Sequence, residues 1–328
     1  MNGIPLPGAL GERARAILSG RLAPVPARDA ATVVLLRPGG PPAGGSSAAA
    51  SLGSGSSLAG SPAAGSPAAG SSGGGSRLDD EVGGPGGAGS AGGVEVYMLR
   101  RAASMAFAAG AYVFPGGSVD PRDADQAVAW AGPAPETWGR LLGADTTTAR
   151  GLVCAAVRET FEESGVLLAG PSPDTVVADT TGDDWEADRE ALIDRRLSLA
   201  EFLNKRSLVL RADLLRPWAH WITPDVEHKR FDTRFFVAAM PPGQRTRDVG
   251  GEADEVAWLR PAGAIERARN GEILLMPPTF RTLTEMSDYA EVEAVLACER
   301  EIVTFQPRAA EVDGEMWLVI PDEDYRLP

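Results

Sequence analysis

The chain has 328 residues, 44% of them hydrophobic, and a formal charge of −14. That length suits one large domain with additions or two small ones, and the acidic balance excludes a basic surface built to recruit nucleic-acid phosphates. Cys154 and Cys298 stand far apart without CxxC spacing, which excludes a disulfide framework and a cysteine zinc site. No signal-peptide pattern opens the sequence and no apolar run approaches the roughly 18 residues that span a bilayer, so a cytoplasmic protein without membrane contact is expected. Nothing in the composition fixes an oligomeric state.

After an N-terminal segment, 1–27, "ATVVLLR" (Ala31 to Arg37) reads as a buried strand and "VEVYMLR" (Val94 to Arg100) as an alternating one. Between them, 38–93 is almost wholly Gly, Ser, Ala and Pro, repeats "GSPAAGSPAAGS", and predicts a disordered insertion. The flanking strands predict a hairpin with an enlarged loop. Lengthening a loop from about 4 to about 56 residues costs only about 2 kcal/mol in closure entropy. "AYVFPGGSVDPRDAD" (Ala111 to Asp125) predicts a strand running into a Gly-Gly turn, and "LVCAAVRETFEES" (Leu152 to Ser164) a helix with Val153, Ala156, Val157 and Phe161 on one stripe. Strands are expected at Trp218–Ile222 and Arg234–Met240, helices at Pro261–Asn270 and Asp288–Glu301, and a last strand in the tail around "MWLVI". The order lacks the regular βαβ repeat of a doubly wound sheet and predicts an α+β fold.

Chemistry concentrates in "RETFEESGV" (Arg158 to Val166), where Glu159, Glu162 and Glu163 share one helix face. Gly165 is a natural helix stop, so the three carboxylates lie in the final turn, against the negative end of the helix dipole. A solvated acidic face and a metal site are both compatible with the triplet alone. A divalent cation such as Mg²⁺ prefers carboxylate oxygens and would reverse the electrostatic penalty. The "FPGG" turn upstream favours the metal site, because a glycine carbonyl can complete an oxygen-rich shell.

"GGSVDPRD" followed by "RETFEESGV" resembles the Nudix box: Gly, five residues, Glu, seven residues, then Arg-Glu-U-x-Glu-Glu-x-Gly-U with U aliphatic. Arg158, Glu159, Glu162, Glu163, Gly165 and Val166 fall on motif positions, and Thr160 stands where an aliphatic residue is usual. Counting from Gly117, Asp123 replaces the first Glu, and 34 residues separate it from Arg158 instead of seven, an insertion of about 27 residues at about 124–150. Asp120 and Asp123 both remain candidates to pair with Arg158. A loop separated in this way from a "REtFEEaGVLL"-like helix is similar to the peroxisomal coenzyme A diphosphatase-like Nudix branch, and the likeness continues through Trp218–Phe236, Glu252–Leu259 and Leu275–Leu283.

The resemblance implies a Nudix domain over 28–285, an α/β/α sandwich with a mixed central sheet, interrupted by 38–93 and 124–150 and followed by a helical C-terminal extension, 286–328. It implies Mg²⁺ or Mn²⁺ held by Glu159, Glu162, Glu163 and the carbonyl of Gly117, Arg158 orienting a carboxylate, and hydrolysis of a small-molecule diphosphate, coenzyme A or acyl-coenzyme A first. ADP-ribose, NADH or nucleotide sugars are the alternative substrates, and a catalytically degenerate ligand sensor or scaffold the alternative class. The general base is Glu162 or Glu159 within the box, or Glu252 or Glu255 outside it, Glu252 being preferred. Substrate contacts are expected at Arg230, with His228 and Lys229 in support, at Arg100 and at Phe114. An Arg230–Asp232 ion pair is an equal alternative. His220, Trp218 and Trp221 read as packed residues, with adenine stacking on the tryptophans the second choice.

Overall fold

The computed structural model describes residues 3–40, 93–102, 108–247 and 253–319. The expected disorder of 38–93 therefore lies almost entirely outside the described residues, as does Glu252. In chain order the elements are β1 (Gly3–Pro5), α1 (Gly8–Leu18), β2 (Arg28–Pro38), β3 (Val94–Arg101), β4 (Ala111–Val113), β5 (Gly116–Ser118), a 3₁₀ turn (Pro121–Ala124), β6 (Trp130–Ala131), α2 (Pro135–Leu142) and α3 (Thr146–Ser164). There follow β7 (Ala169–Gly170), α4 (Asp183–Ile193), α5 (Leu199–Lys205), β8 (Val209–Arg211), β9 (Arg216–Ile222), β10 (Phe231–Ala239) and β11 (Ala253–Leu259). The chain continues through α6 (Pro261–Arg269), β12 (Leu274–Leu275), α7 (Pro277–Met286), α8 (Val292–Leu296), β13 (Thr304–Phe305), β14 (Arg308–Val312) and β15 (Glu315–Val319).

β2 is the axis of a mixed sheet. It pairs parallel with β10, and antiparallel with β3 at its C-terminal end and with β5 at its N-terminal end. The alternation of strand side chains then builds two cores. Ala31, Val33 and Leu35, with Tyr97 and Leu99, face α3, Trp138 of α2 and Phe202 of α5. Val34, Leu36, Val96 and Met98 face the other way, against Ala264, Phe280, Leu283 and Val295 of α6, α7 and α8. The result is the expected α/β/α sandwich.

α3 begins at Thr146, ahead of the Leu152 start that the apolar stripe alone indicates. The Asp145 side chain accepts from the Thr147 and Thr148 amides and so caps the helix ahead of its threonines, whose β-branching weakens the sequence signal. Gly165 closes it at φ 73°, as expected. Thr160 is buried where an aliphatic residue is usual, and its hydroxyl is satisfied by donating 2.7 Å to the Ala156 carbonyl.

Two elements depart from expectation. The helix expected over 288–301 is only Val292–Leu296, and the extension, expected to be helical, also forms β13, β14 and β15, the last being the strand expected around "MWLVI". The N-terminal segment is not separate: β1 pairs antiparallel with β15, and Leu6, Ala14, Val226 and Met316 form a small core between them. A pairing between strands some 300 positions apart leaves no local trace in sequence. The insertion at 124–150, for which no elements are specified from sequence, supplies β6, α2 and the first turn of α3.

The β2–β3 ladder runs to Pro38 opposite Val94, and the Gly39 amide donates 2.7 Å to the Gly93 carbonyl. The two ends of the low-complexity stretch are thus already adjacent. Replacing residues 41–92 with a linker of about four residues is expected to leave the thermal unfolding midpoint unchanged or raised, by up to about 2 kcal/mol of stability; a lowered midpoint would contradict the hairpin.

Candidate active site

The last turn of α3 faces the loop from β5 into the 3₁₀ turn, and the two meet around Arg158. Its Nε and Nη2 donate to the Asp123 carboxylate at 3.0 and 2.9 Å, Nη2 also to the Ser118 carbonyl at 3.0 Å, and Nη1 to Glu159 at 2.8 Å and Glu162 at 3.2 Å. Asp123, only 1% exposed, is therefore the partner of Arg158. Asp120 instead caps the 3₁₀ turn and binds Arg122, which holds its carboxyl down at about 2. Glu163 accepts from the Gly116 amide at 2.8 Å. Gly117 lies so close to the Glu159 carboxylate that a Cβ there would fall 2.4 Å from Oε1.

Burial dominates the electrostatics. It pushes Glu159 up to about 7, against the pull of Arg158 and with the help of Glu162, and it raises Glu162 and Asp123 as well. Burial alone would lower the Arg158 pKa; its bonds to Asp123 and the charges of Glu159 and Glu162 outweigh this and raise it. Asp123, Glu159 and Glu162 thus share one guanidinium, and negative charge remains in excess.

Among the described residues no three acidic, His or Cys side chains form a ready ligand cluster; Glu159 and Glu162 are turned onto Arg158 Nη1, and Glu163 onto the Gly116 amide. The donor set nevertheless fits a hard divalent cation. It consists of carboxylate oxygens, buried at an energetic cost that a cation would relieve, beside a glycine with no Cβ to crowd Glu159.

A cleft of about 500 Å³ opens over this network. Arg158, Glu159, Glu162, Glu163 and Gly117 all line it, as does Lys229. Four of the expected substrate contacts, His228 among them, do not. Phe114 is 3% exposed and packs in the core against α6 and α7. Arg100 points to that same sheet face and pairs with Glu255 at 3.2 Å, so that its neighbours Leu99 and Arg101 line the cleft instead. Glu255 is turned away with it. Arg230 is buried and held by the Val25 and Thr223 carbonyls and by Asp225. Asp232 binds Arg234 and His220, not Arg230.

His220 is buried between Asp232 and the Thr304 hydroxyl, Trp218 donates to Glu285 at 2.9 Å, and Trp221 stacks on Phe305, so all three are packed residues as expected. Sequence reasoning missed the wall formed by α4 and α5. Arg189 of α4 is 3% exposed, lines the cleft and donates 2.6 Å to the Glu162 carbonyl at the negative end of α3. Trp185, Arg189 and Leu192 recur at helical spacing, the signal that could have located this element.

Removing the shared cation should be costly. Arg158→Met is expected to lower stability by about 3–5 kcal/mol, read by urea unfolding, because it leaves three buried carboxylates unpaired; a loss below about 1 kcal/mol would contradict the network. The raised Glu159 pKa has a definite sign. The folded state holds a proton that the unfolded state releases near 4.5, so stability of the metal-free protein falls as pH rises from about 4.5 to about 7. Glu159→Gln is expected to flatten that fall in thermal unfolding from pH 5 to pH 8, and an unchanged pH profile would contradict it.

The family model described as the NUDT19 Nudix domain matches residues 142–286. A Xenopus laevis protein named acyl-coenzyme A diphosphatase NUDT19 is 24% identical over 276 residues, covering 70% of this chain and 70% of that one. The Homo sapiens protein of the same name is 28% identical over 238 residues, covering 61% and 62%. A crystal structure of a Nudix hydrolase from Alicyclobacillus acidocaldarius aligns with a TM-score of 0.58 at 24% identity, over 84% of this chain and 98% of that one, a likeness of fold.

Proposed function

The chain belongs to the Nudix hydrolase superfamily and is a diphosphate hydrolase, and from that premise we propose that its substrate is coenzyme A or acyl-coenzyme A. The observation that carries the proposal is the convergence of Glu159, Glu162, Glu163 and Gly117 on a cleft that also has cationic and apolar walls. Its relatives are named for acyl-coenzyme A, and Leu99, Val113, Leu192 and Leu199 offer apolar surface to a pantetheine or acyl arm.

Glu159, Glu162, Glu163 and the Gly117 carbonyl would hold Mg²⁺ or Mn²⁺. Such an ion supplies charge neutralisation at the diphosphate and acidifies bound water. Arg158 positions Glu159 and Glu162 through its Nη1 and fixes the loop through Ser118 and Asp123. Arg189 pins the final turn of α3 through the Glu162 carbonyl. Glu252 is assigned as general base, since its neighbour Ala253 lines the cleft and Glu255 faces away from it. Attack of water on one phosphorus would give adenosine 3′,5′-bisphosphate and 4′-phosphopantetheine or its acyl form. Free thiols at Cys154 and Cys298 suit a reducing compartment, and the cytoplasm is the proposed location.

The test is purified protein with Mg²⁺ and a panel of coenzyme A, acetyl-coenzyme A, ADP-ribose, NADH and a nucleotide sugar, with product analysis. The expected result is fastest release from the coenzyme A compounds, lowered by roughly two to four orders of magnitude in Glu162→Gln and Glu163→Gln with unchanged circular dichroism. Preference for ADP-ribose or NADH would replace the substrate, and no turnover of any compound would favour a ligand sensor.

A further inference from the structure

Cationic side chains on the cleft wall differ in how far they are already committed. Arg158 serves the carboxylates, Arg189 binds Glu186 and the Glu162 carbonyl, and Arg122 binds Asp120. Arg195 and Lys229 line the same cleft, and no ion pair or side-chain hydrogen bond ties either of them among the described residues; Lys229 makes only a cation–π contact, its Nζ 5.3 Å from the Phe231 ring centroid. In a chain with a net charge of −14, two cations on an acidic cleft without a directly bonded carboxylate among the described residues stand apart from their surroundings, although Arg195 acts at longer range on Asp120 and Glu162.

Both are fixed at their backbones. Arg195 closes α4, its amide donating 2.9 Å to the Leu192 carbonyl and the next amide, of Arg196, 2.8 Å to the Ala191 carbonyl. This is the left-handed closing position usually given to glycine, and Arg195 holds it at φ 58°. Its carbonyl accepts from Arg122 at 3.2 Å, which ties the turn to the loop carrying Asp123. Lys229 precedes Arg230, whose guanidinium is locked by Val25 and Thr223 and whose carbonyl accepts from Arg28 at the start of β2, two residues before Ala30 pairs with Ser118. Their backbones are thus tied to the strand and loop that carry Ser118 to Arg122, both side chains line the cleft, and each can donate to a phosphate dianion.

We propose that Arg195 and Lys229 form a second anion subsite, which takes a phosphomonoester on the ribose of the substrate, apart from the diphosphate that is cut. The subsite rests on the coenzyme A reading above and sharpens it, because coenzyme A carries a 3′-phosphate that ADP-ribose and NADH lack. It gives the cleft a means to select among diphosphates that share the scissile group.

Calorimetric titration of the full chain with adenosine 3′,5′-bisphosphate and with AMP, Mg²⁺ present, tests the subsite without requiring turnover. The wild type is expected to bind the bisphosphate at least about tenfold more tightly than AMP, as one or two charge-assisted hydrogen bonds allow. The double variant Arg195→Gln, Lys229→Gln should reduce that preference to within about twofold. Arg196→Gln, which removes the same charge from a residue paired with Asp194 outside the cleft, should keep it. Equal binding of the two ligands by the wild type, or a preference retained in the double variant, overturns the subsite. Hydrolysis of coenzyme A without the binding preference leaves the proposed function standing and removes the subsite; the preference without hydrolysis does the reverse.

Discussion

Arg158 is the point on which the arrangement turns. One guanidinium, 11% exposed at its side chain, joins the final turn of α3 to the β5 loop and the 3₁₀ turn through Asp123, Glu159, Glu162 and the Ser118 carbonyl. A buried ion pair gives back in attraction much of what desolvation costs, but one cation shared by three acids leaves the balance negative. Burial raises the proton affinity of Glu159, Glu162 and Asp123 against the pull of Arg158, and the neighbouring carboxylates add to it. A cleft held in this state by its own scaffold is disposed to take up a cation, and with it an anionic substrate that the acidic chain would otherwise repel.

The rest of the fold serves this junction. β2 carries β5 on one end and the β3 hairpin on the other, so the loop with Gly117 and the cleft wall with Leu99 and Arg101 are set by one strand. α3 is buried against the same sheet face, and Arg189 anchors its last turn from α4. Segments inserted into the motif or far from it, α2 from 124–150 and α4 and α5 beyond, contribute core and cleft wall and leave the helix motif intact.

Much of this was legible in sequence because it depends on local periodicity and on residue types with few alternatives. The glutamates sit on one helix face ended by Gly165, and the turn containing Gly117 allows a close approach that a side chain would block. What was not legible depends on which face of a strand a residue occupies. Arg100 and Arg101 are equal in composition, but the pleat sends Arg100 to Glu255 and Arg101 to the cleft. Phe114 follows the same rule into the far core, and Arg230 is absorbed by the neighbouring Thr223 and Asp225 and by the Val25 carbonyl some 200 positions away. Asp123 and Asp120 could be separated only by the 3₁₀ turn, which uses Asp120 as its cap and buries Asp123 toward Arg158.

The central claim is that the excess negative charge around Arg158 receives a divalent cation. Its most direct test is titration of metal-free protein with Mn²⁺ at pH 8, followed by loss of the free-ion electron paramagnetic resonance signal. Saturable depletion of free Mn²⁺ by the wild type, reduced in a Glu159→Gln, Glu162→Gln double variant, is the expected result; a free-ion signal indifferent to the protein would contradict the account.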